Sequence, residues 1–546
     1  MSFAMRSFAP DHENFAPPHR SRATRRIRLF LYLTVFAVTL LSLTLFIVSK
    51  TLIDCFGPST AAQLLFHLQV GVDEGGLTGA QIKIILKNLS ILLAGAAAFC
   101  ILFYGAWYCA TPAELIRWLW HHAVRLGKLL LSLRIFAVRP VVWVCIASLV
   151  LSYAAVKTVN RRHQVSDYLR QEESTWFAEH YARLDTTSIE HKDGRARNLI
   201  FVSLESIEDG YSDASVYGSN LIAELALLKR EGISFSGYQR GLGSRYTMDG
   251  LCSQLAGVPL EGAGMFELHG SRKTNNYASL LKNAPSFLNL LTENGYQSAF
   301  FVGSSGEFTQ KASFFKTHGI DPKHIYVRET FEQKGFPLAG ANKGSNWGYA
   351  DAFVWKRVKS WLTEHAAADK PFVAVVETLD THAPEGYVKP EDYRWGDARD
   401  SIRASSRMAG EFVAWAKKQP WYANTTIVLV GDHPWQDSAN SFTERFTRAS
   451  NNRAAFNVIL NPSPAARQRA LSVQRRNFLP MDMAPTVLDC MGVAYRSVDC
   501  NGTPLRDQLG LGISILSDRK NYVETLGVGK LIETMRKKSS AYEALF

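Results

Sequence analysis

The sequence predicts an α/β layer fold, a mostly parallel and largely buried sheet flanked by helices, preceded by a helical membrane domain of three spans. Two observations carry this expectation. First, five short apolar runs lack the alternation of half-exposed strands: Leu199–Leu204, Ser298–Val302, Phe372–Val376, Thr426–Val430 and Phe456–Leu460. Amphipathic helical segments separate them, for example Asn220–Arg230, Ser286–Glu293 and Asp351–Glu364. Second, the first 156 residues are markedly apolar, whereas the remainder has the composition of a globular enzyme. The expected division is a membrane domain over 1–157 and an extracytoplasmic domain over 158–546.

The first span is an uncharged run over about 29–48, long enough to cross a bilayer. It follows Arg20, Arg22, Arg25, Arg26 and Arg28, which the positive-inside rule keeps in the cytoplasm. A cleaved signal peptide is the competing reading; the run is long for one and lacks a clear cleavage site. The second and third spans are expected over about 88–110 and 135–156, with Arg139 snorkelling from the inner end of the third. Between them Leu115, Trp118, Leu119, Leu126, Leu129, Leu130 and Leu133 recur at helical spacing among Arg117, Arg125, Lys128 and Arg134. That pattern predicts an amphipathic helix on the membrane surface over about 112–133, with a buried helix as the alternative. Three spans starting inside put the C-terminal part outside; Lys157, Arg161 and Arg162 run against that topology.

Formal net charge is +12, and many basic residues cluster near the apolar segments. Anionic lipid is the partner this placement favours, and nucleic acid is not expected because no zinc-finger or RNA-binding signature accompanies the charge. Seven cysteines include no C-x-x-C pair, which argues against cysteine-based zinc binding. Cys490 and Cys500 are candidates for a local disulfide, which sequence separation alone does not decide.

Polar residues follow the strands abruptly. One strand ends in Glu205, another in Gly431-Asp432-His433, a third in Glu377-Thr378-Leu379-Asp380-Thr381-His382. Sites of open α/β sheets form at such carboxyl ends. Oxygen and nitrogen donors from several strand ends suit Mn²⁺, Mg²⁺ or Zn²⁺. Taken singly, a Glu such as Glu205 after a strand is more often a solvated cap, and a pair such as Asp432-His433 more often a turn. Gly241-Leu-Gly243-Ser-Arg245-Tyr-Thr247-Met-Asp-Gly250 approaches an expected helix start, where a hydroxyl meets unpaired N–H groups and the positive dipole end. On the residues alone, Thr247 is either a nucleophile or simply an N-cap.

The combination resembles the phosphoglycerol transferase and lipoteichoic acid synthase branch of the sulfatase-like, alkaline phosphatase superfamily, over roughly Asn198–Leu505. The matching stretches are Asn198-Leu-Ile-Phe-Val-Ser-Leu-Glu205-Ser206, Thr247-x-x-Gly250-x-x-Ser253-Gln254 with Val258-Pro259-Leu260, and Lys311-x-x-x-Phe315-Lys-Thr-His318-Gly319. Asn346-Trp347-Gly348 with Asp351, Thr378-x-Asp380-Thr381-His382-x-Pro384, Asp432-His433 and Pro485-Thr486-Val487-Leu488-Asp489 complete the set. The sulfatase branch proper is disfavoured, because Thr247-Met-Asp-Gly-Leu lacks the Cys or Ser followed by x-Pro-x-Arg. Val302 stands where lipoteichoic acid synthases carry a histidine, and Phe308 and Lys311 fall near their Trp and Arg. This departure favours the branch that modifies osmoregulated periplasmic glucans.

The resemblance implies a metal site of Glu205, Thr247, Asp432 and His433, with Mn²⁺ the first choice, and Thr247 as nucleophile. It implies His382 as a proton-handling or substrate-binding residue. Lys311, Phe308, Trp347 and Arg245 are the remaining candidates for substrate contact. The implied activity is transfer of phosphoglycerol from phosphatidylglycerol to a periplasmic glycan, through a covalent threonine intermediate, by a multi-pass protein of the bacterial inner membrane. Phosphoethanolamine transfer to a glycan or lipid A is one alternative. A catalytically inactive glucan- or lipid-binding membrane protein is the other.

Overall fold

The computed structural model describes residues 22–56, 79–108, 140–163, 172–261, 280–345, 347–366, 370–383, 386–389, 392–435, 442, 446, 450 and 452–546. The chain separates into two compact units, one built on the apolar N-terminal helices and the other on residues 166–546.

The first unit contains α1 (Arg22–Phe56), α2 (Gly79–Tyr108) and α3 (Pro140–His163). Among the described residues one stretch, Leu33–Leu52 of α1, is long and apolar enough to cross a membrane. Ile85–Ile101 of α2 is a shorter apolar run. The surface helix expected over 112–133 lies outside the described residues. Polar side chains tie the helices together: Ser42 Oγ donates to Ser152 Oγ at 2.8 Å and Asn88 Nδ2 to Thr51 Oγ1 at 3.1 Å.

The second unit is built on a six-stranded mixed sheet. Its strands are β1 (Asn198–Leu204), β2 (Gln297–Phe301), β3 (Ile325–Tyr326), β4 (Phe372–Glu377), β5 (Thr425–Gly431) and β6 (Asn457–Leu460), in the order β3-β2-β4-β1-β5-β6. All neighbours pair in parallel except β5 and β6, which are antiparallel. All five expected strands are present, and their lack of alternation has a direct cause: every residue of β1, β4 and β5 is buried. Each face of the sheet packs its own core, so odd and even positions are equally apolar.

Side-chain parity assigns the faces. Leu199, Phe201, Val373, Val375, Val428 and Val430 join the core that includes Met248, Leu251 and Leu288. Ile200, Val202, Ala374, Val376, Ile427 and Leu429 join the opposite core with Leu225, Val358 and Phe412. The first face is covered by α5 (Thr247–Ala256) and α6 (Phe287–Glu293), the second by α4 (Ala223–Glu231), α8 (Asp351–His365) and α9 (Ala398–Ala416). Ser286 caps α6 in a reciprocal capping box with Asn289. Between them, α7 (Lys311–Thr317) follows β2. A three-stranded antiparallel sheet, Arg183–His191, Val493–Val498 and Pro504–Leu505, lies apart from the main one, and α10 (Met483–Cys490) precedes its middle strand.

Cys490 and Cys500 are both free thiols. Cys490 faces the core from the end of α10, and Cys500 sits exposed in the turn after Val498, so the candidate disulfide is not formed.

Candidate metal centre and active site

Parity carries straight into the site. Positions 199, 201 and 203 of β1 face α5, and Glu205 continues that series one residue past the strand. Positions 428 and 430 of β5 do the same for Asp432. The adjacent pairing Leu204–Gly431 brings the two carboxylates side by side. α5 can reach them because Gly250 has no side chain: a Cβ there would lie 2.6 Å from the Asp432 carbonyl oxygen.

Ligand atoms of Glu205, Asp432 and His433, all buried, lie within 4.8 Å of one another. His433 Nε2 is 3.5 Å from Glu205 Oε1 and 3.4 Å from Asp432 Oδ2. The other ring nitrogen, Nδ1, lies 2.9 Å from the Pro434 carbonyl oxygen. A proton on Nδ1 satisfies that carbonyl and turns the Nε2 lone pair toward the carboxylates. Thr247 Oγ1 donates to Glu205 Oε2 at 3.1 Å and Ser206 Oγ to Oε1 at 2.7 Å. Asp432 Oδ1 accepts from the Ser206 and His433 N–H groups at 2.8 and 2.7 Å, and Asp432 Oδ2 is buried with no hydrogen-bond partner among the described residues. Ser206, which is not glycine, has a positive φ of 54°, a strained conformation in the turn that links Glu205 to Asp432.

The donor set fits a divalent cation. Two carboxylates, one imidazole nitrogen and one hydroxyl converge, and one carboxylate oxygen is orphaned. The electrostatics agree. Burial drives the Asp432 carboxyl well above its usual range, and the Glu205 charge drives it further. Burial also opposes ionisation of Glu205, but His433, His382, Ser206 and Lys311 outweigh it and hold that carboxyl at about 2. His433 is raised, since Asp432 and Glu205 overcome its desolvation.

Thr247 is the first residue of α5, and the capping position belongs to Tyr246 in extended conformation. The simple N-cap reading is therefore replaced: the hydroxyl turns to Glu205. His382 is tied to the same cluster through its loop. Thr378 Oγ1 accepts from the Glu205 N–H at 2.9 Å, and Thr381 Oγ1 donates to the Glu205 carbonyl. The His382 ring lies tilted against Trp347, centroids 4.5 Å apart, and Trp347 in turn meets Phe308 at 5.4 Å. Desolvation lowers the His382 pKa despite the nearby Glu205 charge.

Two candidates have partners that the sequence did not indicate. Lys311 is buried, 5.8 Å from the Phe308 ring centroid, and forms an ion pair with Glu377, with Ser304 Oγ at 3.4 Å. Arg245 is engaged by Glu261, Nη1 to Oε2 2.5 Å, and by the Gly241 carbonyl at 2.9 Å. Glu261 also holds Arg536 at 2.7 Å, so Arg245 belongs to a fixed network at the approach to α5.

Three further groups have roles that the sequence pattern does not signal. Glu377 and Asp351 lie within motifs that single out no function for them. Glu208 accepts from Arg453 Nη2 at 2.7 Å and from the Trp435 N–H at 2.9 Å, fixing the residues after His433. Asp351 accepts from the Leu379 and Asp380 N–H groups at 2.8 and 3.0 Å, while Asp380 Oδ2 accepts from the Asp351 N–H at 3.0 Å. This clamp anchors the His382 loop. Burial raises the Asp351 carboxyl to about 7 and Asp380 well above its usual range.

The chain is similar to phosphoglycerol transferase I of Escherichia coli O81 (strain ED1a), 26% identical over 473 residues, covering 84% of this chain and 55% of the relative. The same figures hold for phosphoglycerol transferase I of Shigella flexneri. The chain thus spans about half the length of the curated relatives it matches. Among solved structures, lipoteichoic acid synthase LtaP of Listeria monocytogenes superposes with a TM-score of 0.44 at 16% identity, over 59% of this chain and 90% of that one. The lipooligosaccharide phosphoethanolamine transferase A of Neisseria meningitidis gives 0.47 at 13%, over 83% and 84%. The sulfatase family model matches residues 197–493, more than half of the 546. With that match and the mixed α/β sheet it spans, the chain belongs to the sulfatase family.

Proposed function

We propose that the chain is a metal-dependent phosphoglycerol transferase, taking phosphoglycerol from phosphatidylglycerol and passing it to a glycan hydroxyl. The observation that carries this reading is the Thr247 hydroxyl, donated to Glu205 inside a buried, undercompensated carboxylate–imidazole cluster. The 26% identity to proteins named phosphoglycerol transferase I supports the choice of head group.

Glu205, Asp432, His433 and Thr247 Oγ1 would hold one divalent cation. Mn²⁺ is the first choice, with Mg²⁺ and Zn²⁺ as alternatives. The cation would supply Lewis acidity, lowering the pKa of the threonine hydroxyl and offsetting charge on the transferring group. Thr247 Oγ attacks phosphorus in line; the bond to the diacylglycerol oxygen breaks and a phosphoglyceryl-threonine remains. His382, kept neutral by its desolvated setting, is the group for proton exchange with the departing and incoming hydroxyls. Phe308 and Trp347 form an apolar wall for the glycerol, and Lys311 supplies the local cation.

Anchoring in the inner membrane, with three spans and the catalytic unit in the periplasm, belongs to the same proposal. It is supported by large apolar side chains left exposed on all three helices, Leu41, Leu93 and Leu149 among them.

The test is mass spectrometry of the Thr247 peptide after incubation of the full chain with phosphatidylglycerol alone. A phosphoglycerol adduct, absent in Thr247→Ala, is expected. A phosphoethanolamine adduct formed only from phosphatidylethanolamine would replace the donor; no adduct with either would support the inactive binding-protein alternative.

A further inference from the structure

The sheet order β2-β4-β1-β5 sets one charged contribution beside the next along the carboxyl edge. Lys311 comes from the helix after β2, Glu377 ends β4, Glu205 follows β1, and Asp432 with His433 follow β5. Parity puts Glu377 on the face of Glu205: it pairs in register with Ser203, two residues before Glu205, and follows Val373 and Val375 on that side. The row therefore joins the Lys311–Glu377 ion pair directly to the candidate metal centre.

The pair is built rather than incidental. Thr309 and Gln310, neither of them glycine, both take positive φ values of 54° and 60° immediately before Lys311. Such conformations are strained and persist where surrounding structure enforces them. They separate Phe308 from Lys311, whose Nζ lies 5.8 Å from the Phe308 ring centroid. Glu377 and Lys311 are both buried, so solvent screens neither charge. A buried cation with its counter-charge attached offers a bound anion much less net attraction than a bare one.

We propose that Glu377 sets the charge selectivity of the pocket: by neutralising Lys311, it favours a singly charged phosphodiester over a doubly charged phosphomonoester. This rests on the proposed function and identifies the substrate class of the same site. With Lys311 balanced, Glu205, Asp432 and a divalent cation sum to no net charge. A phosphodiester then adds one negative charge and a phosphomonoester adds two, at close range and in low dielectric.

The experiment compares two lipids that share their diacylglycerol, phosphatidylglycerol and phosphatidic acid, in vesicles with the full chain. Diacylglycerol release is the readout. With either lipid Thr247 Oγ loses its proton and bonds to phosphorus, and the phosphorus–diacylglycerol oxygen bond breaks as that oxygen takes a proton; a water oxygen then bonds to phosphorus, the Thr247 Oγ–phosphorus bond breaks, and Oγ takes back a proton from the water as glycerol phosphate or inorganic phosphate leaves. The wild type should release diacylglycerol from phosphatidylglycerol far faster than from phosphatidic acid. Glu377→Gln should lower the diester-to-monoester ratio of kcat/KM by at least about 10-fold, and Glu377→Asp, which keeps the charge, should restore it. Lys311→Met should move the ratio the other way, and it carries the test where Glu377→Gln does not fold. A ratio unchanged in the folded variants, or lowered equally by Glu377→Asp, overturns the inference while the proposed function stands. A wild type that neither releases diacylglycerol from phosphatidylglycerol nor takes up phosphoglycerol on Thr247 overturns the proposed function and this inference with it.

Discussion

Two buried carboxylate sites lie within a few residues of each other along the chain, and they resolve the same electrostatic problem in opposite ways. Glu208 is closed: the Arg453 guanidinium forks onto both its oxygens, and the Trp435 N–H adds a third donor. Glu205 and Asp432 are open: their partners are hydroxyls, backbone N–H groups and an imidazole, and one Asp432 oxygen has no hydrogen-bond partner among the described residues. At Glu208 the permanent counter-charge of Arg453 holds structure. Convergent carboxylates without one mark a place for a cation.

Breaking each site should separate the two roles. The largest effect is expected at the open site. Glu205→Ala should weaken metal binding by more than about 100-fold, beyond the loss typical of groups that merely orient ligands, and should abolish transfer. Metal content and activity of the purified full chain check this, with the thermal transition largely retained. At the closed site, Glu208→Ala should cost about 2–3 kcal/mol, because it leaves the half-buried Arg453 beside Tyr211 without its anion. Thermal or denaturant unfolding reads that loss, and the folded fraction should still bind metal.

The Asp351–Asp380 clamp sharpens the comparison as an intermediate case, since its carboxylates accept backbone N–H groups from each other's segments. Burial raises the Asp351 carboxyl from 3.8 to about 7. The folded state therefore binds this proton more tightly than the unfolded chain does. The corresponding stability is complete below about pH 4 and is lost as pH rises through about 7. Asp351→Asn should flatten that part of the stability–pH curve, by up to about 4 kcal/mol across the window. The smallest effect is expected at the aromatic wall. Trp347→Ala should raise the KM for phosphatidylglycerol roughly 2- to 12-fold, the worth of about 0.5–1.5 kcal/mol of aromatic contact, with kcat little changed.

The same contrast explains what was legible in the sequence. Strands buried on both faces announce themselves as unbroken apolar runs, so β1, β4 and β5 and the residues at their ends could be read directly. Glu205, Asp432 and His433 were found because strand ends concentrate chemistry. Glu208–Arg453 and Lys311–Glu377 join positions 245 and 66 residues apart and follow no local pattern, so only the fold reveals them. Whether Thr247 caps its helix or opens it turned on one residue, and Tyr246 took the cap because its extended backbone starts the turn. Arg245 looked available because nothing local signals Glu261.

In the proposed site Glu205, Thr247, Asp432 and His433 hold one divalent cation on which turnover depends. Diacylglycerol release from phosphatidylglycerol by the full chain after exhaustive chelation, with bound metal assayed in the same sample, tests this directly. One metal per chain is expected before chelation, none and no turnover after it, and recovery on adding Mn²⁺, with Mg²⁺ and Zn²⁺ restoring it to other extents. Full turnover with no detectable bound metal would contradict the proposed site.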